Sequence, residues 1–417
     1  GTPPGDAARR LQHLPAPAAT ILSVSEPDLD ALAQAGRADL LAGEAELEHY
    51  AAGAVRRGSI TALTGWSPAP AVTALAARLA RLGSAVAVLR RPRGVDPPTL
   101  LRSGSAVRRS FTPLVETYGS VPYRDLDPTV LAAIAYVVMF GMMFGDLGHG
   151  LLLVAGAAFL RAGRPRRFAG ARKAAPLVFG AGVAASGFGV LYGEFFGPTG
   201  LLPPLWLEPL AEPMRLFAAA IGLGAVLLAV AYATGIVNRW REGGPRLALY
   251  APSGIAGAAL FLGVGGVVGG LYLDVDLLAW SGVAVATAGL VLTGVGLFAG
   301  SGGGAAGVLQ TVVELFDVVV RLGANVISFA RLAAFGMTHA ALGWLVWQAT
   351  TALVAGGPLG VLFGVLTFLA GNAVAFALEA LVAGIQALRL EFYELFSRVF
   401  EIEGRPFQPW HVPMEVS

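Results

Sequence analysis

The sequence predicts a mainly α-helical, polytopic membrane protein. About eight transmembrane helices, the last two long and tilted, follow a small cytosolic α/β domain. Three observations carry this. The 417 residues are 55% hydrophobic and only 13% charged, with a mean hydropathy of +0.67, which lies outside the soluble range. The polar residues concentrate before position 125, and the apolar runs after it approach or exceed the roughly 20 residues that cross a bilayer. Basic residues fall in blocks between those runs, as cytosolic loops do.

Residues 1–125 read as the cytosolic α/β domain and a linker. Thr20–Ser25, Ser59–Thr64 and Ser84–Leu89 have strand character, and Pro70–Leu82 has helical periodicity. Residues 91–128, rich in Arg and Pro, read as a linker. Gly1 is not an initiator Met and no signal peptide is visible, which leaves residues before it open.

Residues 126–400 form the transmembrane domain. Thr129–Leu160 is too long for one ordinary span and is interrupted by Gly141–Gly150. One long helix and a hairpin of two short ones compete. Arg161, Arg164, Arg166, Arg167, Arg172 and Lys173 favour the hairpin, because they put its far end on the same side as the Arg-rich segment before it. Spans follow at Pro176–Phe196, Met214–Val237, Leu247–Tyr272 and Leu277–Ala299, with a basic loop at Asn238–Arg246. Gly265-x-x-x-Gly269 has the spacing that lets membrane helices approach closely. Two long helices, roughly 308–355 and 358–400, exceed a single crossing and accommodate it by tilting. Residues 401–417 are a charged cytosolic tail, so both termini lie inside.

The formal charge of +2 gives no reason to expect nucleic acid, and the absence of Cys removes disulfide and thiol chemistry. No G-x-x-x-x-G-K-[ST] pattern occurs, so the chain does not hydrolyse ATP itself. No catalytic residue, metal set or cofactor is expected.

The last two helices carry ionisable groups at membrane depth, where charge is costly and usually lines a pathway or pairs with another group. At about 100° per residue, Asp317, Arg321, Asn325, Ser328, Arg331, Thr338 and His339 share one sector. Asn372, Glu379, Gln386, Arg389 and Tyr393 form a second stripe. Arg331 is too deep for simple snorkelling to the headgroups. Its guanidinium cannot relay a proton, but it can ionise a passing carboxylate. Glu379 suits a proton carrier, against the alternative of a structural hydrogen bond. His339 suits either a proton-passing or a packing role. Arg389 either supports Arg331 or pairs with Glu379 or Glu391. Asp317 marks a water-filled entrance or solvates its helix end. Asp146, His149, Tyr192 and Glu194 read as supporting polar groups that fix the bundle.

Phe140-Gly-Met-Met-Phe-Gly-Asp-Leu-Gly-His149, Leu191-Tyr-Gly-Glu194, Asn325-Val-Ile-Ser-Phe-Ala-Arg-Leu332 and the segment from Glu379 through Arg389 to Phe407 resemble subunit a of V-type ATPases, called subunit I in prokaryotic V/A-type enzymes. The resemblance covers about residues 113–410, and Gly65-Trp-Ser-Pro68 resembles a motif of the family's cytosolic domain. It implies a stator of the Vo sector whose two long helices face a ring of proteolipid c-subunits and form two proton half-channels. On it Arg331 is the essential arginine, Arg389 the second arginine, Glu379 and His339 line the outer half-channel, and Asp317 belongs to the cytosolic one. Gln386 stands where eukaryotic members carry His, and Ser328 joins the same pathway. The implied partners are the c-ring, peripheral-stalk subunits through a shortened or truncated N-terminal domain, other Vo/V1 subunits and the lipid bilayer. The implied location is a prokaryotic plasma membrane. A stand-alone secondary transporter and an inert membrane scaffold are the competing readings.

Overall fold

The structure is a computed structural model that describes Asp30 and residues 38–90, 95–100, 106–162, 170–399 and 404–407. The chain divides into two compact units, Gly1–Val95 with Phe407–Ser417, and Asp96–Pro406.

In the first unit, helix α1 (Ala38–Ala52) precedes an antiparallel hairpin of β1 (Val55–Arg57) and β2 (Ile60–Ala62). Val55 pairs with Ala62 and Arg57 with Ile60. Gly58 takes φ 62 in the two-residue turn, where a side chain would be strained. A 3-10 turn, Ala69–Ala71, leads into α2 (Val72–Ala80). The strand expected at 59–64 and the helix expected at 70–82 are thus found with shorter bounds. Ser84–Leu89 is not a strand. It is irregular and has no ladder partner among the described residues, with Val88 82% exposed. The expected strand at Thr20–Ser25 lies outside the described residues.

The second unit begins inside the segment read as a linker. That reading is corrected by α3 (Ala106–Tyr118), whose Phe111 and Val115, one turn apart, are buried. Interior Pro113 made the segment resemble a loop. Asp127 then starts α4 (Thr129–Met143), accepting the Thr129 N–H at 3.0 Å. After a break at Phe144–Asp146 comes α5 (Leu147–Ala162), and later α6 (Ala175–Tyr192). Gly180, facing Val137, and Gly141, facing Ala184, show α4 running in the same direction as α6. Gly189 against Asp146–Leu147 and Gly182 against Leu153–Val154 show α5 running the opposite way. The chain therefore reverses at the break, as the hairpin reading expects, with both arms lying on α6.

Helix α7 (Pro213–Tyr250) continues through residues 238–243, which the sequence suggested were loop. It breaks only at Gly244, with φ 75 and ψ −164, before Pro245. Here Asn238 accepts the Leu126 N–H at 3.0 Å and donates to the Val399 carbonyl at 2.9 Å. Arg239, 1% exposed, pairs with Glu242 at 2.6 Å. Helices α8 (Ile255–Leu273) and α9 (Asp276–Gly300) form an antiparallel pair. Their close approach does not use Gly265, which faces open space, or Gly269, whose nearest neighbour would be a Leu278 methyl. Gly263, Gly266 and Gly270 lie instead against the backbones of Ala286, Gly282 and Ala279.

Helix α10 (Gly304–Ser328) joins α11 (Ala330–Val354) through Phe329, and the turn at Ala355–Gly357 leads to α12 (Pro358–Leu390). The first of the two long helices is thus interrupted. At Phe329 the bonding tightens to i→i+3: Phe329 N–H to the Val326 carbonyl and Leu332 N–H to the Phe329 carbonyl. The buried Phe329 ring rests on the backbone at Gly224 of α7. After α12 the helix widens to a π-helical turn, Glu391–Phe396. Five helices are long and apolar enough to cross a membrane: 171–192, 213–250, 255–273, 276–300 and 358–399. The expected eight is not reached on these criteria. Helices α4 and α5, at 15 and 16 residues, are short, and α10 and α11 carry the polar stripe.

Candidate functional site

The site starts at the break between α4 and α5. Asp146 is 0% exposed. One carboxylate oxygen accepts the His149 N–H at 2.8 Å, capping α5, and the other accepts the Gly197 N–H at 2.8 Å. Gly193, left-handed at φ 76, ends α6 and turns the chain so that the Glu194 carbonyl accepts the Leu147 N–H at 3.0 Å. Tyr192 donates to the Met142 carbonyl at 3.3 Å. These bonds clasp the break against the end of α6 and turn His149 and Glu194 inward.

Helices α11 and α12 run antiparallel, with Thr350 level with Gly364, Val346 with Gly371, and Trp347 beside Phe368. His339, 5% exposed, points into the bundle. Its Nδ1 hydrogen-bonds Glu379, and its Nε2 lies 3.9 Å from Glu194 Oε2. Its ring is 5.6 Å from His149 and 4.9 Å from Phe144, centroid to centroid. Asp146, His149, Glu194, His339 and Glu379 therefore form one buried cluster. The sequence assigned three of these five to bundle support, apart from the pathway. Only the turn at 193–197 and the cap at Asp146 bring them to His339. The donor atoms of Asp146, His149 and His339 all lie within 4.8 Å of one another.

Arg331 lies two turns before His339, about 12 Å along the helix. Its Nη1 is buried without a hydrogen-bond partner, and Arg389 and Glu394 are its electrostatic neighbours. Ser328 faces Glu394. The Gln386 side-chain carbonyl is buried and unpartnered. Arg389 is exposed beyond the exposed Leu378, Val382 and Ile385, at helical spacing along α12. Among the described residues, neither Arg331 nor Arg389 has a carboxylate in salt-bridge contact. Asp317 is not part of this group. It pairs with Arg321 at 2.7 Å on the half-exposed side of α10, fourteen residues and about 21 Å of helix before Arg331. With its side-chain amide turned to satisfy both ends, Asn325 donates to the Arg321 carbonyl at 3.1 Å and accepts from Arg398 at 3.0 Å.

Sequence reasoning gave Glu391 only as a candidate partner of Arg389, a pairing not found among the described residues, and gave Glu394 no place in the site. Both are buried, and both Glu391 oxygens lack a partner. Their spacing from Arg389 signals little on a regular helix wheel, and the π-helical turn changes which way they face.

Residues 54–173 match the V-type ATPase 116 kDa subunit family. An A-type ATP synthase subunit I of Pyrococcus horikoshii is 27% identical over 394 residues, covering 91% of this chain and 58% of that protein. Subunit I of Thermococcus kodakarensis is 29% identical over 381 residues, covering 85% and 55%. Over residues 54–173 by the family match, and at 27–29% identity to these subunit I proteins, the chain is similar to the V/A-type ATPase subunit a/I family. A further subunit I, of Halobacterium salinarum, is 28% identical over 389 residues, covering 76% of this chain and 52% of its own length. The chain thus spans between half and three-fifths of these subunit I relatives.

Proposed function

We propose that this chain is the static membrane subunit of a rotary V/A-type ATPase, forming two proton half-channels against a ring of c-type subunits. The observation that carries the reading is the pair Arg331 and Arg389. One has a buried nitrogen without a hydrogen-bond partner and the other projects from an exposed apolar face, and among the described residues no carboxylate is in salt-bridge contact with either, Glu394 lying nearby but not paired. Cations at membrane depth need an anion, and a ring carboxylate arriving from another subunit supplies it.

A permanent guanidinium between the half-channels repels cations that would otherwise leak straight through. It also favours the ionised form of each arriving carboxylate, so that the proton leaves on one side. Glu379 and His339, joined by a hydrogen bond, pass protons on the outer side, with Glu194 and His149 extending that polar path. Ser328 and Gln386 line the surface near Arg331, and Asp317 with Arg321 opens the cytosolic side. Asp146 and Tyr192 hold the α4–α5 break in place. Eight crossings follow if the short α4 and α5 each reach across and α10–α11 counts as one tilted span, with both termini cytosolic.

Copurification tests the reading. The chain should come out of detergent with a proteolipid ring and peripheral-stalk subunits. Isolation as a transport-competent single subunit would establish the secondary-transporter alternative, and isolation without transport would favour the scaffold.

A further inference from the structure

We propose that His149, His339, Asp146 and Glu194 form a binding site for a divalent transition-metal ion, with zinc the best fit. His149 is 2% exposed and neither ring nitrogen has a hydrogen-bond partner. Asn372 lies beside the ring, where its oxygen can meet only the ring N–H and not the ring lone pair, and its side-chain N–H donates to the Phe368 carbonyl at 2.9 Å. Buried polar atoms are rarely left without a partner, so this imidazole asks for an acceptor of its lone pair.

The surrounding donors suit a metal. His149 Nδ1 is 3.8 Å from Asp146 Oδ1, and His339 Nε2 is 3.9 Å from Glu194 Oε2. Two tetrahedral ligands, each about 2.0–2.2 Å from zinc, stand about 3.3–3.6 Å apart. Both pairs are a few tenths of an ångström wider than that, and the 4.8 Å limit of the three-residue set asks for a side-chain closure of about 1–1.5 Å at most. Two imidazoles with carboxylates favour zinc or another late first-row ion over calcium or magnesium, which prefer all-oxygen sets. Two carboxylates also neutralise a divalent charge in a buried place.

The second shell is already in position. Glu379 engages His339 Nδ1, which orients the ring and leaves Nε2 for the metal. Backbone N–H groups of His149 and Gly197 hold the two Asp146 oxygens. On the half-channel reading, a metal on His339 Nε2 blocks proton passage, and this consequence alone rests on that reading.

The test uses the assembled membrane complex, equilibrated with Zn²⁺ at neutral pH and stripped of loose metal by gel filtration. Wild type should retain one zinc per copy of the chain. His149→Gln should lose it, and Glu379→Gln should weaken it by about 10–100-fold. Co²⁺ bound to wild type should show the intense visible bands of a low-coordinate nitrogen–oxygen site, a readout independent of whether any variant folds. Retention no better than in an assembled His149→Gln complex, or a Co²⁺ spectrum like that of the hydrated ion, would overturn the site. Stoichiometric zinc with undiminished proton uptake would support the site while overturning the proton role of His339.

Discussion

His339 and Glu379 meet through a hydrogen bond that fixes the register of α11 against α12. Eight residues back from His339 and eight on from Glu379, the antiparallel pairing sets Arg331 opposite Ala387, between Gln386 and Arg389. One buried pair therefore sets the height of both arginines against whatever approaches them.

Arg331→Gln should abolish ATP-driven proton uptake into vesicles without loss of assembly. Arg331→Lys keeps the charge but loses the planar fork and can deprotonate when poorly solvated. Its uptake should fall by about tenfold or more, equivalent to a barrier raised by about 1.4 kcal/mol. Uptake at the wild-type rate by assembled Arg331→Gln complex would rule the mechanism out. Arg389→Gln should be milder if, as proposed, the exposed Arg389 supports the field rather than closing the seam.

Glu379→Gln keeps the size of the side chain and a hydrogen bond to His339 but removes the exchangeable carboxyl proton. Proton uptake should slow while copurification with the ring stays normal. An assembled variant pumping at full rate would leave Glu379 as a packing residue, and failure to assemble would make its role structural.

Asp146→Ala strips the acceptor from two N–H groups, those of His149 and Gly197, in a fully buried place. The loss should be about 2–4 kcal/mol, from an N-cap and a buried hydrogen bond together. Asp146→Asn retains one acceptor oxygen and should lie between. Thermal melting of the solubilised complex measures both, and equal melting of Ala and wild type would contradict the capping role.

Asp125 lies outside the spanning helices. Burial pushes its carboxyl up to about 7, helped by Glu242 and opposed by Arg239 and Arg241. The native state then holds a proton that the unfolded chain releases near pH 4. The stability from this group is complete below that value and declines as pH rises toward 7. Melting temperature should therefore drop between pH 5 and 7.5, and Asp125→Asn should flatten that slope. A variant with the wild-type slope would assign it to another group.

Much of the membrane architecture was legible because hydropathy and loop charge act over whole segments. The reversal at Gly145–Asp146 followed from Gly content and from Arg161–Lys173, which no single residue had to specify. That His339 and Glu379 lie on two polar stripes was legible from helical spacing, but their direct hydrogen bond was not, since spacing alone also allowed Glu379 to pair with Arg389. Nor were contacts that depend on one residue's backbone. Gly193 and its left-handed turn bring Glu194 to His339, and the π-helical turn redirects Glu391 and Glu394. The glycine seam was displaced from Gly265 and Gly269 to Gly263, Gly266 and Gly270, because apolar residues on every side of α8 leave its rotation to packing. The helix at 106–118 was hidden by Pro113, although Phe111 and Val115 were spaced for it.

The bend at Phe329 has a mechanical meaning. Its ring sits in the notch that Gly224 leaves in α7, so the joint between α10 and α11 is pinned rather than free. A sideways displacement of α11 would press that ring against α7 as well as pull on the backbone of α10. The two halves of the long helix can then differ in stiffness, with the arginine carried on the braced half and the exposed half left to yield.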